Sequence, residues 1–147
     1  MLAMVAGITS LMAQATLPAF WNCNDPASAP SGWTLNQGTS GTFVYTSTTL
    51  VKSTPASIRL DATGEWMKVN YSGSADTVWY YISGTGASGV TVWKGTCNIE
   101  ESADGTTWKS VRQYVDGDMP MGITQHFTQV SSAAKYVRFI LTTKTSG

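Results

Sequence analysis

The feature that most constrains this chain is a series of short runs in which apolar and polar residues alternate between turn-forming residues. These runs span residues 33–36, 42–46, 57–61, 65–71, 76–83, 91–102, 107–115, 122–130 and 135–143. None shows a helical period over ten residues, whereas a period of two is typical of strands with one buried face. The sequence therefore predicts an all-β fold, an antiparallel β-sandwich of jelly-roll type.

The alternation also predicts which side chains face the core. Because neighbouring residues of a strand point to opposite sides, the more apolar row of each run is assigned to the interior. The predicted inward residues are Val69, Tyr80, Ile82, Ile99, Val137, Phe139 and Leu141. The opposite rows leave aromatic and basic side chains outside, namely Trp66, Trp79, Tyr81, Tyr136 and Arg138.

Composition limits the number of domains and the class of partner. A chain of 147 residues suffices for one domain with a hydrophobic core. Nine Lys and Arg residues balance nine Asp and Glu residues, and only 12% of the chain is charged. Because no overall field attracts polyanions, we expect no nucleic-acid partner.

Residues 1–15 differ from the rest and have the form of a secretory signal peptide. A mostly apolar stretch is followed by Ala13-Gln14-Ala15, the small-x-small pattern that a signal peptidase accepts. We therefore predict one mature domain at 16–147 and a secreted or cell-surface location. The alternative is a short buried helix of the fold. The stretch is shorter than the roughly 20 residues that cross a bilayer, so no membrane insertion is expected.

The two cysteines leave two alternatives open. In an oxidising compartment, Cys23 and Cys97 either form a disulfide or remain small buried side chains. One histidine, two distant cysteines and no C-x-x-C pair give no cluster of metal ligands. No metal or other cofactor is predicted.

The titratable residues do not predict a reaction. His126 is the sole histidine, and its position in a run of alternating threonines predicts a solvent-facing strand residue rather than a catalytic base. A glycoside hydrolase needs two carboxylates across a cleft, which Glu100, Glu101, Asp116 and Asp118 could supply. The adjacent glutamates point to opposite faces and the aspartates lie in a predicted loop. We predict no catalytic residue, with a hydrolase fragment as an alternative.

The segment at 97–114 predicts a β-hairpin. Its centre, Ala103-Asp104-Gly105, favours a type I turn followed by a left-handed glycine, so turn geometry explains Asp104. Trp108, three residues beyond this turn, is expected to pack over the corner.

The hairpin also carries a family resemblance. The run Glu101-Ser102-Ala103-Asp104-Gly105-Thr106-Thr107-Trp108, followed by Lys135-Tyr136-Val137-Arg138-Phe139, resembles the signature of discoidin-like and galactose-binding-like jelly-roll domains. The resemblance covers roughly residues 19–143. Similar domains occur in large exported bacterial proteins, as carbohydrate-binding modules and adhesin-type domains. The resemblance implies the jelly-roll fold more directly than any one ligand.

One part of the resembled pattern is missing. Domains similar to this one continue to a last strand that pairs beside the first strand and often helps to hold calcium. The chain stops at Thr145-Ser146-Gly147. We therefore expect a C-terminally truncated domain, and a calcium site is not predicted.

The outward aromatic residues predict the class of ligand. A rigid sheet with exposed rings and a few polar donors suits the apolar face and hydroxyl groups of a sugar. Trp66, Trp79, Tyr81, Tyr136 and Arg138 supply these groups if their strands are neighbours. The sequence thus predicts a noncatalytic module that binds carbohydrate or a cell-surface glycan. The alternative is a structural spacer whose aromatic residues pack against other domains of a longer chain.

Overall fold

A computed structural model describes residues 13–23, 25, 28–37, 44–45, 50–53, 56–85 and 91–146. Within these residues the chain forms nine strands and no α-helix. The strands are β1 (Trp33–Asn36), β2 (Val44–Tyr45), β3 (Ser57–Ile58), β4 (Trp66–Asn70), β5 (Thr77–Ile82), β6 (Lys94–Ser102), β7 (Lys109–Val115), β8 (Thr124–Gln129) and β9 (Tyr136–Ser146). Each lies within or overlaps one of the predicted runs.

Seven of the nine described strands form two facing layers. Five of them make an antiparallel sheet in the order β1-β4-β9-β6-β7, whereas β5 pairs with β8 and β2 pairs with β3. The β5–β8 pair packs on the larger sheet, since the ring of Tyr80 meets the ring of Phe139 edge-on at 5.1 Å between centroids. The predicted all-β, antiparallel sandwich of jelly-roll type is confirmed.

The core lies between these layers and contains the predicted inward residues. Val69, Ile99, Val137 and Leu141 are buried. Tyr80, Ile82 and Phe139 are half-buried and pack against the same cluster. The alternation assigned these faces correctly because one apolar row of each strand must leave water.

The last strand is longer than the alternation predicts. β9 continues from residue 143, the predicted end, to Ser146, which pairs with Lys94 of β6. This extension is polar, but threonines at 142, 143 and 145 suit an extended backbone. Among the described strands, β1 lies at one edge of the five-stranded sheet. The expectation that a further strand pairs beside it remains a prediction.

His126 does not face solvent as the sequence predicts. It pairs with inward-facing Tyr80, and its Nδ1 lies 2.6 Å from the hydroxyl of Tyr114. The neighbouring Phe127 is instead the outward residue, with 52% of its surface exposed. A polar row can face this core because tyrosine and threonine hydroxyls inside it provide hydrogen-bond partners.

Ala15, at the end of the expected signal peptide, is part of the folded structure. It is buried and bridges to Tyr71, its N–H donates to the carbonyl of Asn70 at 2.8 Å, and its carbonyl accepts from the N–H of Ser72 at 3.0 Å. The rest of the predicted signal, residues 1–12, lies outside the described residues. Signal cleavage, the boundary at residue 16 and export remain predictions. None of the described segments forms an apolar helix of the length that a bilayer requires.

The two cysteines are not bonded to each other. Both are free thiols, with Cys97 buried in the core and Cys23 half-buried in the N-terminal segment. Burial raises the pKa of the Cys97 thiol to about 12 and that of the Cys23 thiol to about 11. Of the two alternatives, the structure therefore contains unbonded thiols, one buried and one half-buried, whose raised pKa values favour the protonated form at neutral pH.

Candidate ligand-binding surfaces

Three aromatic rings lie together on the outer face of the β5–β8 pair. Trp79 is directly paired with Phe127, and Tyr81 follows Trp79 by two residues on the same face. Trp79 is 63% exposed, Phe127 52% and Tyr81 43%, so all three rings reach solvent. We call Trp79, Tyr81 and Phe127 the aromatic strip. Single exposed apolar residues are normal on a protein surface, whereas contiguous exposed ones mark contact surfaces.

Polar groups border the aromatic strip. The strand pairing places Gln125 opposite Tyr81 and Gln129 opposite Thr77, so two exposed amides share the face with the rings. The ammonium of Lys52 lies 4.7 Å from the centroid of the Tyr81 ring. The rings of Trp79 and Phe127 are 5.0 Å apart and tilted by 38°, which presents a continuous apolar platform. The strip therefore combines stacking surface with hydrogen-bond donors and acceptors.

The other three predicted contact residues lie elsewhere. Trp66 is on β4, and Tyr136 and Arg138 are on β9, where they face away from the core of the five-stranded sheet. The condition set for one surface shared with Trp79 and Tyr81, that the strands are neighbours, is not met, because β5 pairs with β8 and not with β4 or β9. The two groups occupy the outer faces of different sheets.

On the five-stranded sheet, charges and rings form their own network. Lys68 lies 5.0 Å from the ring of Trp66 and 5.9 Å from that of Tyr136. The guanidinium of Arg138 lies 4.1 Å from the ring of Trp108 and pairs with the carboxylate of Glu100 at 2.6 Å. These side chains are half-buried or buried. The charged groups of Lys68, Arg138 and Glu100 already have partners within the fold, so this face offers a ligand less than the aromatic strip does.

The hairpin corner is built as the sequence predicts. Gly105 has a φ of 77°, the left-handed value expected after the turn. Asp104 accepts the backbone N–H groups of Thr106 and Thr107 at 2.8 and 2.7 Å. These hydrogen bonds, with that of Thr107 the stronger influence, hold the pKa of the Asp104 carboxyl well below its usual range. Trp108 packs beside the corner with its ring 6.4 Å from that of Tyr136.

The carboxylates considered for hydrolysis each have a structural partner. Glu100 pairs with Arg138, and its neighbour Glu101 accepts the N–H of Ser131 at 2.6 Å. The two aspartates accept backbone N–H groups, Asp116 from Gly95 at 2.7 Å and Asp118 from Val115 at 3.0 Å. Glu100 and Glu101 are both buried and point to opposite faces of β6. Glu100 is paired with the outward Arg138, and Glu101 is paired with the inward Val137. The arrangement stabilises loops and strands rather than presenting two carboxylates across a cleft.

No group of three or more His, Cys, Asp or Glu residues is placed to hold a metal ion in the parts of the chain that the structure describes. Asp116 and Asp118 lie two residues apart just after β7, and both accept backbone N–H groups.

Phe127 is the residue of the aromatic strip that sequence reasoning missed. The run Thr124–Gln129 has apolar character only at Phe127, and an inward position was the natural choice for that ring. The signal that identifies it is its partner: once β8 pairs with β5 in register, Phe127 lies opposite the outward Trp79. Pairing between strands so far apart in sequence is not visible in local alternation.

Comparison with known proteins adds little to this geometry. No model of a known protein family matches the chain. No curated protein matches it either. Among solved structures, a chain from Bacteroides thetaiotaomicron named "putative chitobiase, fragment 298-461" is similar, with 17% sequence identity and a TM-score of 0.34. The alignment covers 60% of this chain and 55% of that one. A TM-score this low assigns neither fold nor function here.

Proposed function

We propose that this chain is a noncatalytic carbohydrate-binding or adhesive module of a secreted or cell-surface protein, and that the aromatic strip contacts the glycan. The observation that supports this is the alignment of Trp79, Phe127 and Tyr81 on one exposed face of a paired two-stranded sheet. Sugar rings have apolar faces that stack on aromatic rings, while their hydroxyls need donors and acceptors at the side. Gln125 and Gln129 provide both.

The geometry also suits this function energetically. A ladder of six residue pairs between β5 and β8 fixes the backbone that carries the strip before a ligand arrives. A preordered surface loses less conformational entropy on binding. Aromatic residues at the centre of a contact surface typically contribute about 2 kcal/mol or more to binding, measured by truncation. Trp79, which is 63% exposed, is the strongest single contributor in this proposal.

A structural spacer is the second candidate, and the same surface supports it. Contiguous exposed rings also mark contacts between domains. In that case Trp79 and Phe127 are covered by another domain of a longer chain. The two functions differ in what the isolated chain binds.

Retention by polysaccharides distinguishes the two candidates. The purified chain is run through native gels that contain single soluble polysaccharides and is incubated with insoluble ones, and a glycan array extends the panel. Trp79→Ala and Phe127→Ala are compared with Phe20→Ala, which removes a phenylalanine that is 79% exposed and lies outside the strip. We expect the strip variants to weaken glycan binding about thirtyfold, the equivalent of about 2 kcal/mol, with melting temperatures unchanged.

Two results would contradict the proposal. If Phe20→Ala weakens retention as much as Phe127→Ala, the binding does not involve the strip. If the wild-type chain is retained by no glycan of the panel, the spacer is the better account of the exposed rings.

A further inference from the structure

A depression beside the aromatic strip lies between the edges of the two sheets. It has a volume of about 530 Å³ and is open to solvent. One wall is β7, through Lys109, Ser110, Val111 and Arg112, and the other is β8, through Phe127, Thr128 and Gln129. Phe127 therefore belongs to both features: its ring packs against Trp79 in the strip, and the residue also lines the depression.

The residues of this depression are basic and polar, without an acid. Arg112 and Lys109 supply two cations, and no Asp or Glu is among the seven lining residues. The exposed ammonium of Lys109 lies 3.5 Å from the carboxylate of Glu101, so Arg112 is the main cation of the depression. The outward rows of β5 and β8 also contain no carboxylate, and Lys52 adds a third cation at the far ring of the strip. A surface bordered on two sides by cations favours an anionic ligand at those positions.

A β-bulge aims Arg112 into the depression. The pairing of β6 with β7 shifts between Ile99 and Glu100, so that Val111 is the extra residue between Ser110 and Arg112. Ser110 pairs with outward-facing Glu100, whereas Arg112 pairs with inward-facing Ile99 and reaches toward β8. One of its Nη atoms donates to the carbonyl of Phe127 at 3.4 Å. Bulges commonly redirect a side chain in this way.

Arg112 retains capacity for a ligand. A guanidinium has five N–H donors in a planar fork, and one long hydrogen bond to a carbonyl uses only one of them. The side chain is exposed and rests on the ring of Tyr114, with its central carbon 4.8 Å from the ring centroid. That contact orients the fork, which matches the two oxygens of a carboxylate or sulfate.

Resting on the proposed function, we propose that the glycan is an acidic polysaccharide. One sugar ring stacks on Trp79 and Phe127, and the carboxylate or sulfate of the same or the next sugar enters the depression, where Arg112 and Lys109 bind it. The formal net charge of the chain is +0, so the protein as a whole does not attract polyanions. Affinity for an acidic polymer must therefore come from this local group of cations.

Matched pairs of polymers test this inference. Affinity gels and titration calorimetry compare polygalacturonate with its methyl ester, and chondroitin sulfate with its chemically desulfated form, so that uronate and sulfate are distinguished. A single-stranded oligonucleotide serves as a polyanion without pyranose rings. We expect at least one acidic glycan to bind more than tenfold tighter than its less charged counterpart and than the oligonucleotide. That preference should fall as salt concentration rises.

Variants assign the effect to the depression. Arg112→Gln should weaken binding of the acidic polymer about tenfold and leave binding of the neutral one unchanged, because it removes a charge-assisted hydrogen bond. Arg112→Lys, which keeps the charge but not the fork, should be intermediate. Lys94→Gln removes an equal charge from an exposed site that does not line the depression and should have no effect. Melting temperatures verify that each variant is folded.

The outcomes separate this inference from the proposed function. Retention by neutral glycans that depends on Trp79, with no preference for acidic ones, overturns the acidic ligand and leaves the carbohydrate-binding module intact. Equal loss in Arg112→Gln and Lys94→Gln, or equal affinity for the oligonucleotide, also overturns it. Retention by no glycan at all removes both proposals.

Discussion

The hydroxyl of Tyr114 lies 2.6 Å from Nδ1 of His126 and 2.9 Å from the hydroxyl of Tyr80. Tyr80 in turn contacts the hydroxyl of Thr128 at 3.0 Å. This chain of polar groups links β7 to both strands of the β5–β8 pair. Because hydroxyls and the imidazole nitrogen can each donate or accept, the groups satisfy one another at a site where Tyr114 is 2% exposed. Burial, and then the hydrogen bond with Tyr80, raise the pKa of the Tyr114 phenol.

Removing the central hydroxyl should destabilise the protein. Tyr114→Phe keeps the ring but takes a partner from His126 and from Tyr80, and we expect the free energy of unfolding to fall by about 1–2 kcal/mol. Tyr81→Phe removes a hydroxyl from an exposed ring and should change it by less than about 0.5 kcal/mol. Urea denaturation of the two variants measures the difference. Equal stabilities would mean that the hydroxyl chain does not hold the layers together.

This network also indicates why the sequence predicts some faces and not others. Val137 and Leu141 are assigned correctly because an apolar row has one favourable place, the core. His126 is misassigned because a polar residue faces the core only where it finds hydrogen-bond partners. Those partners belong to strands that are distant in sequence. Local alternation contains no information on that pairing.

For the candidate site too, the sequence predicts the exposure of single residues but not which residues lie together. The exposure of Trp79 and Tyr81 follows from the alternation within β5 alone. Their association with Phe127, and their separation from Trp66 and Arg138, depend on which strands are neighbours. Strand order is set by long-range packing, which a single run of sequence does not encode.

Arg138 should matter more for stability than for ligand binding. Its Nη2 and Nε lie 2.6 and 2.7 Å from Oε2 of Glu100, whose side chain is 11% exposed. Arg138→Met leaves that carboxylate without its cation, and we expect a loss of about 2 kcal/mol in the free energy of unfolding. Adding Glu100→Gln removes the uncompensated charge and should restore part of the loss.

One result would contradict this structural role of Arg138. If Arg138→Met unfolds at the wild-type urea concentration but loses glycan retention, the guanidinium serves the ligand and the originally predicted contact role is correct.

Gly32 should be intolerant of a side chain because two backbone segments approach it closely. A Cβ at this position would overlap the backbone nitrogen of Ala15 and the carbonyl oxygen of Asn70, and its φ of 85° is already unfavourable for other residues. Gly117 has a similar φ of 81°, but nothing lies within 4 Å of its Cβ position. We expect Gly117→Ala to lower the free energy of unfolding by about 1 kcal/mol and Gly32→Ala by about 2–4 kcal/mol. Similar losses would show that the close approach of Ala15 and Asn70 to Gly32 is not maintained in solution.

The hairpin corner should contribute stability in a defined pH range. The carboxylate of Asp104 accepts the N–H groups of Thr107 and Thr106, and these bonds hold its pKa below the value of about 3.9 that an unfolded chain has. The folded state therefore favours the charged form. The contribution of Asp104 to stability is fully present once the pH is about one unit above the unfolded pKa, that is above about pH 5. It is lost as the pH falls toward the folded pKa.

Asp104→Asn tests that dependence, since it removes the titrating group while every other acid stays the same. At pH 7 the variant should melt at a lower temperature than the wild type, because a neutral amide accepts the two N–H groups less strongly than a carboxylate does. The difference between the two melting temperatures should narrow steadily as the pH is lowered from about 5 to about 2, because only the wild type loses a stabilising charge there. Thermal melts followed by circular dichroism across that range give the comparison. A difference that stays constant, or that widens in acid, would mean that the turn does not depend on the ionised carboxylate.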